Sequence, residues 1–333
     1  MAHHSRSIVQ RVLARTVDAA LEASVVGSFT AIGSSVRART DTWERPSPGR
    51  LAGRTAVVTG ATSGLGESMA IELARLGAHV HVVGRSSAKV SATVGRLNAI
   101  GTAEGHVADL ERLDDVRRVG GALARGGPIH ALAHVAGMLV HQQAQTADGI
   151  DQTAQVHVVA PFLLTTLLFD RLRADGDARV ITMSSGGMYT RPLDVERLFH
   201  PPSPFNGTIA YAGAKRAQVE LNREWARRYP ASGVGFHAVH PGWADTPGLR
   251  ESLPGFRRVI GPLLRDAAAG SDTAAWLAWA GEATAPGGEW WHDRRRRRTS
   301  WRPGTAATPA DRARLWAEVR RAAGLGELDE PSV

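Results

Sequence analysis

The run Thr55-Ala56-Val57-Val58-Thr59 passes directly into Gly60-Ala61-Thr62-Ser63-Gly64-Leu65-Gly66, and helical spacing follows at once to about Leu76. A short apolar strand that turns into a helix through glycines has few ways to continue. The helix has to cross over and return the chain to the same sheet, so the next strand is parallel. The later sequence repeats this pattern. His79 to Val83 reads as a second strand, Ser87 to Ile100 as a second helix, and a short strand ends near Val107. A helix over Leu113–Ala124, a strand over His130–His134 and a long helix from about Asp151 to Leu172 come next. Arg179–Ser184 reads as strand, about Thr208 to Arg228 as helix, and Val234–His240 as strand.

This alternation predicts an α/β fold: a Rossmann-type doubly wound parallel sheet with helices on both faces. Three segments are expected. Residues 1–50 form an N-terminal helical extension and linker, 51–293 the nucleotide-binding domain, and 294–333 a basic loop with a C-terminal helix beginning at Pro309. A last strand is expected at Glu289-Trp290-Trp291. Sheets of this kind bind ligands beyond the carboxyl ends of their strands.

Composition narrows the chemistry. The chain has 333 residues, 43% hydrophobic and 22% charged, which excludes global disorder. It has no cysteine, so thiolate catalysis, disulfides and cysteine-ligated zinc are excluded, and no metal site is expected. The longest nearly apolar run, Val158–Phe169, contains a proline and is too short to span a bilayer. No secretory leader is read at the N-terminus, and a cytoplasmic location is expected. The net charge of +8 resides in the appendages: seven arginines against four acids in residues 1–50, and the run Arg294–Arg298. The balanced body argues against nucleic-acid binding.

The glycine turn sits where a pyrophosphate can approach a helix N-terminus. Gly60, Ser63, Gly64, Leu65 and Gly66 are the candidate contacts. The second strand ends Val83-Gly84-Arg85-Ser86, with a guanidinium where an acidic residue would hold a ribose diol. Arg85 therefore favours NADP over NAD through a 2′-phosphate, NAD remaining the alternative. Asp109, with Leu110, is placed to meet the adenine edge or to cap the following turn. Lys89 and Lys215 are the only lysines beside 38 arginines. Lys215 stands four residues after Tyr211, so on a helix the phenol and the ammonium share a face. A free phenol has a pKa of about 10, and a nearby cation would lower it toward a usable general base. Ser184-Ser185 ends a strand where a hydroxyl can hold a substrate oxygen.

Taken in order, Thr59–Gly66, Asp109, Ala136-Gly137, Ser185, Tyr211/Lys215 and Pro241-Gly242 followed by Thr246 resemble the short-chain dehydrogenase/reductase family over about residues 53–292. Ser184–Met188, Phe205–Thr208, His240–Gly248 and the Trp290-Trp291-His292-Asp293-Arg294 segment resemble a narrower branch, the dehydrogenase/reductase member-12 type, related to retinol dehydrogenases. The resemblance implies Tyr211 as acid/base, Ser185 orienting the reacting oxygen, Lys215 holding the nicotinamide ribose, and Thr246 meeting the carboxamide. Ala136, Gly137 and Pro241 complete the implied cofactor contacts. Two positions depart from the family pattern. His134-Val135-Ala136-Gly137 replaces Asn-Asn-Ala-Gly, and His157 stands where an Asn of the proton relay is usual. His157 can donate or accept and titrates near neutrality, so it is a candidate relay group; a satisfied helix histidine is the other reading.

Met188, Phe205 and Trp243, with Tyr189, Leu249, Leu253 and Phe256, suggest an apolar pocket for an alcohol, aldehyde or ketone, ordinary core packing being the alternative. Ile8, Val9, Val12, Leu13, Thr16, Val17, Ala20 and Leu21 recur at helical spacing, with Arg11, Arg15, Asp18 and Glu22 on other faces. This helix either packs on its own domain or touches a membrane surface. The Arg294–Arg298 run is expected to be a solvated loop, with phosphate binding as the alternative. The family likeness implies a homo-dimer or tetramer through the Tyr211-bearing helix. A non-catalytic nucleotide-binding scaffold is the rival to the enzyme.

Overall fold

A computed structural model of the chain describes residues 8–281, 287–301 and 304–326. Eight strands form one sheet: β1 Thr55–Thr59, β2 His79–Gly84, β3 Thr102–Val107, β4 Ala131–His134, β5 Ala178–Met183, β6 Val234–Val239, β7 Glu289–His292 and β8 Arg295–Arg296. Their spatial order is β3-β2-β1-β4-β5-β6-β7-β8. All neighbours are parallel except β7 and β8, which pair antiparallel. The order reverses between β1 and β4, and the crevice at that switch point is where a ligand is bound in open sheets of this class. The strands β4, β5 and β6 are buried along their whole length, as expected of a sheet covered on both faces. The two apolar layers divide by strand alternation: Val57, Leu132 and Val180 pack on one side, Val58, Ala133 and Ile181 on the other.

The long helix runs over Gln152–Arg173. Its length and composition would let it cross a membrane, but 83% of its most apolar window is buried inside the protein, so it is a core helix. Residues Gln155–Val159 form a π-turn within it, which places His157 against the β4 loop. The C-terminal helix Pro309–Ala322 begins with a Thr308/Asp311 capping box. It packs on the helix Gly207–Arg228, where Trp316 lies edge-on to Trp225 at 4.7 Å and the Arg228 guanidinium stacks over the Trp316 ring. Arg312 also reaches Glu220 at 3.6 Å. The C-terminal helix thus covers part of the helix expected to meet a second subunit.

The appendages depart most from expectation. The extension is three helices, Ile8–Ala23, Val25–Phe29 and Ala31–Thr40, where one helix and an irregular stretch were expected. The first helix does not bury the whole predicted apolar face. Val12 and Leu13 are 57% and 59% exposed, whereas Ala14 and Asp18 are buried. Asp18 and Glu22 turn inward because their partners are there. Arg37, fully buried, donates to Asp18 at 2.7 Å, to Glu22 at 2.9 Å and to Asp293 at 2.6 Å. Arg295 and Arg297 also bind Asp18, at 3.0 and 2.8 Å, and Arg295 binds Asp41 at 2.6 Å. Arg294 clamps Asp272 and stacks on Trp43. Much of the arginine run is therefore an internal clasp between extension and body, contrary to the expected solvated loop. Residues 1–7 and 327–333 of the expected appendages lie outside the described residues.

Candidate active site

The turn after β1 is shaped by the absence of side chains. Gly60 has φ +68°, and a Cβ there would meet the Ala136 backbone at 2.7 Å. A Cβ on Gly66 would meet the Gly60 carbonyl oxygen at 2.3 Å. Only glycine lets the first turn of the helix Gly64–Arg75 approach the strand this closely. Its N-terminus faces a cleft lined by Gly60, Ser63, Gly64, Leu65 and Gly66, and further by Arg85, Asp109, Leu110, Ala136, Gly137 and Thr246. Free backbone N–H groups and the helix dipole suit this mouth to a pyrophosphate. A Cβ on Gly64 would touch the Thr246 side chain at 3.5 Å, which fixes Thr246 across the cleft from the turn. Thr246 also caps the helix Pro247–Ser252, accepting from Leu249 N at 3.2 Å.

Asp109 caps its turn, accepting from Glu111 N at 3.1 Å, and also reaches the cleft. Pro241 is not among the cleft residues. It precedes Gly242, whose φ of +74° lets the chain pass against the Arg265 guanidinium. Sequence reading missed Thr62, Ser86 and Lys89, which share the cleft with Arg85. The signal for Lys89 was its rarity: it is one of only two lysines. Arg85 and Lys89 are exposed, and neither is paired with a carboxylate among the described residues.

Ser185, Tyr211 and Lys215 are not among the cleft residues; they lie behind Met138, which lines the cleft and is bonded to His157, the ring next to Tyr211. There β5 delivers two serines with different tasks. Ser184 is buried and donates to the Lys215 carbonyl at 2.8 Å, so it anchors the helix Gly207–Arg228. Ser185 caps the following short helical turn, accepting from Gly187 N at 3.3 Å. Its side chain is close enough to the Tyr211 hydroxyl to favour the phenolate. Lys215 is buried one helical turn from Tyr211, its Nζ 5.3 Å from the ring centroid and donating to the Met183 carbonyl at 2.8 Å. Serine, tyrosine and lysine converge as the spacing predicts.

Their electrostatics differ from the prediction. Burial pushes the Tyr211 phenol up to about 12, against the nearby Ser185 side chain that lowers it. Burial also pushes Lys215 down to about 7. The ammonium is itself poorly solvated and lies over the ring, 5.3 Å from its centroid, and burial outweighs it at the phenol. Lys215 binds a proton less readily folded than unfolded, so stability rises with pH from about 7 toward the unfolded value of 10.5. Urea unfolding should show this gain, at most about 1.4 kcal/mol per pH unit, between pH 7.5 and 9.5. Lys215→Met should remove it; an unchanged slope would mean that Lys215 is not the titrating group.

His157 is buried, held neutral with a pKa of about 3, first by burial and then by the Lys215 charge. It does not titrate near neutrality as expected. Its Nε2 donates to the Met138 carbonyl at 2.8 Å, and the ring lies edge-on to Tyr211 at 5.4 Å. A Cβ at position 137 would strike His157 Cε1 at 2.8 Å, so Gly137 makes room for a ring larger than Asn. His157 ties the β4 loop to the long helix. His134 points into the core, binding Thr165 Oγ1 at 2.8 Å.

The expected apolar pocket is only partly present. Met188 is fully buried in a core cluster with Val219, Ala238 and Trp290, and Tyr189 donates to the Arg298 carbonyl at 2.8 Å. Both are packing residues, because β7 and the tail behind it occupy that side. Phe205 is half-buried near the start of the Tyr211 helix. Trp243 lies edge-on to Phe256 at 5.0 Å and to Phe29 of the extension at 5.7 Å, and its N–H bonds the Phe29 carbonyl at 2.7 Å. The extension therefore braces the loop that was expected to cover substrate.

This sheet, cleft and residue set define a nicotinamide-nucleotide oxidoreductase acting on CH–OH or C=O groups. A short chain dehydrogenase family model matches residues 54–196. The human dehydrogenase/reductase SDR family member 12 is 36% identical, over 80% of this chain and 85% of that protein. Mouse polyprenol dehydrogenase is 32% identical over 96% of this chain and 98% of its own. The crystal structure of a putative NAD(P)-dependent gluconate 5-dehydrogenase from Beutenbergia cavernae, with bound NADP, is 26% identical and superposes with a TM-score of 0.62, covering 74% of this chain and 97% of that one. The chain belongs to the short-chain dehydrogenase/reductase family.

Proposed function

We propose that the protein is an NADP(H)-dependent reductase of apolar aldehydes or ketones, with Tyr211 as acid/base. The observation that carries this reading is that Ser185 and buried Lys215 both stand next to Tyr211, which His157 and Met138 connect to the cleft. Ser185 would position the substrate oxygen by hydrogen bonding, and Tyr211 would transfer the proton to or from that oxygen. A phenol held near 12 keeps its proton at neutral pH, which suits donation to a carbonyl oxygen better than abstraction from an alcohol. Lys215 and Thr246 would hold the nicotinamide ribose and carboxamide; the bound nicotinamide supplies hydride-transfer chemistry. His157 acts by position, fixing Met138 and the β4 loop. Substrates of lipid character are supported by the mouse polyprenol dehydrogenase relative and by half-buried Trp243 and Phe256. A screen of lipid aldehydes, steroid ketones and retinoids with NADPH tests the reading. No single-turnover hydride transfer to any of them, despite bound NADPH, would sink it.

Arg85 and Lys89 support NADP over NAD. Arg85→Ala with Lys89→Ala should weaken NADPH binding about 10- to 100-fold, the scale of one or two charge-assisted hydrogen bonds. NADH binding should not change, as fluorescence titration of both cofactors would show. Equal losses for the two would instead place these cations on the pyrophosphate.

We also read the chain as cytoplasmic with peripheral membrane contact. The support is Val12, Leu13, Val25, Val26 and Ile32 of the extension, each between 44% and 59% exposed. Flotation with anionic liposomes should carry the wild type and lose the Val12→Asp/Leu13→Asp variant; equal recovery of both refutes this contact.

A further inference from the structure

Sequence reading singled out no metal, yet β2 and β3 bring four metal-ligating side chains together. The parallel register pairs His79 with Thr102, His81 with Glu104 and Val83 with His106. Alternate residues of a strand face the same way, so His79, His81, Glu104 and His106 share one face of the sheet. The intervening Val80 and Val82 are fully buried on the other face. Because β3 is the edge strand, the cluster is open to solvent: Glu104 is exposed and the three imidazoles are half-buried.

The distances are those of a nearly closed coordination shell. The ligand atoms of His79, His81 and Glu104 all lie within 4.8 Å of one another. His81 Nδ1 is 2.9 Å from His106 Nε2 and 3.9 Å from Glu104 Oε2, and His106 Nε2 is 3.7 Å from Glu104 Oε1. Ligand atoms at about 2.0–2.1 Å from a tetrahedral zinc stand about 3.3 Å apart. The 2.9 Å pair is tighter than that and the others are wider, up to 4.8 Å, so side-chain rotation is needed to close the shell. His79 Nδ1 is engaged by Thr102 Oγ1 at 3.2 Å, which orients the ring and leaves Nε2 free, as outer hydrogen bonds do for metal-bound histidine.

We propose that His81, His106 and Glu104, completed by His79, form a site for a divalent transition ion of the zinc type. Three imidazoles and one carboxylate match such an ion; magnesium and calcium call for more oxygen ligands. The ion would pin the edge strand β3 to β2. These two strands lead into Arg85 and Asp109, so the site would brace the adenosine half of the cleft from behind. The inference does not depend on the proposed reaction.

The test uses the full chain with His3 and His4 changed to Ser, so that the N-terminal histidine pair contributes nothing, after stripping with a chelator. Calorimetric titration with zinc chloride should show saturable equimolar binding at micromolar zinc or below, with a raised unfolding temperature. His81→Ala and Glu104→Gln should lose that binding while keeping the unfolding temperature of the chelated parent. Cobalt(II) added to the parent should give the intense visible bands of a low-coordinate ligand field, a readout that needs no variant to fold. Saturation only at millimolar zinc, cobalt spectra identical to the aqueous ion, or binding that survives His81→Ala would each overturn the site.

Discussion

Tyr211→Phe should lower the single-turnover rate of carbonyl reduction by about 10³-fold, within the range for loss of a positioned general acid, while NADPH binding is retained. The substitution removes only the hydroxyl. The ring stays edge-on to His157 at 5.4 Å and beside Lys215, so the site keeps its shape. What is lost is the hydroxyl next to Ser185, the proposed proton donor to the reacting oxygen. Ser185→Ala should be less severe, because the proton source survives and only its aim is lost. Stopped-flow decay of NADPH absorbance with a saturating aldehyde separates the two. A Phe variant as fast as the parent would mean that the proton arrives by another route, and the proposed role of Tyr211 would be falsified.

The second large effect concerns the clasp. Asp293→Ala should destabilise the protein by about 3–5 kcal/mol, the usual range for breaking a buried ion pair from one side. Asp293 is 1% exposed and shared between two buried guanidiniums: Arg37 of the extension at 2.6 Å and Arg265 at 2.5 Å. Burial pushes its carboxyl up, but the charges of His292, Arg265 and Arg37 outweigh that and hold it well below the usual carboxylate range. Removing it leaves the buried Arg265 guanidinium without a carboxylate, in a site without water to solvate it, while Arg37 keeps Asp18 and Glu22. Arg265 keeps the carbonyls of Ser28 and Phe29, at 2.9 and 3.1 Å, but these carry no full charge. Urea unfolding measures the loss, and limited proteolysis should cut within residues 8–40 of the variant while sparing the parent. A loss below about 1 kcal/mol, typical of a surface pair, would show that the clasp is solvated. Because Phe29 touches Trp243, the variant should also weaken substrate binding more than cofactor binding.

The predicted strands fall close to the observed ones, because apolar runs bounded by glycine and helical periodicity are local signals. The Thr59–Gly66 turn, the Ser185 strand end and the Tyr211/Lys215 spacing were legible for the same reason: each needs only neighbours in the chain. Met188 was misread because an apolar residue after a strand looks the same whether it lines a pocket or meets the Trp290 of a later strand. The phenol's shift was misread because spacing gives shared faces, while burial sets which charge survives.

The sequence by itself determined the parallel sheet, the nucleotide cleft and the meeting of Ser185, Tyr211 and Lys215, since periodicity and turn chemistry act over a few residues. Only the tertiary structure decided what the charges do. Asp18 and Glu22 look like a solvated helix face, and Arg294–Arg298 like a loose basic loop, until folding brings Arg37 and Asp293 together across 256 positions. It likewise decided that His79, His81, Glu104 and His106 meet, because strand register is a choice made between segments. Ion pairs and ligand clusters carry no period, so their partners are fixed by the packing that excludes water around them.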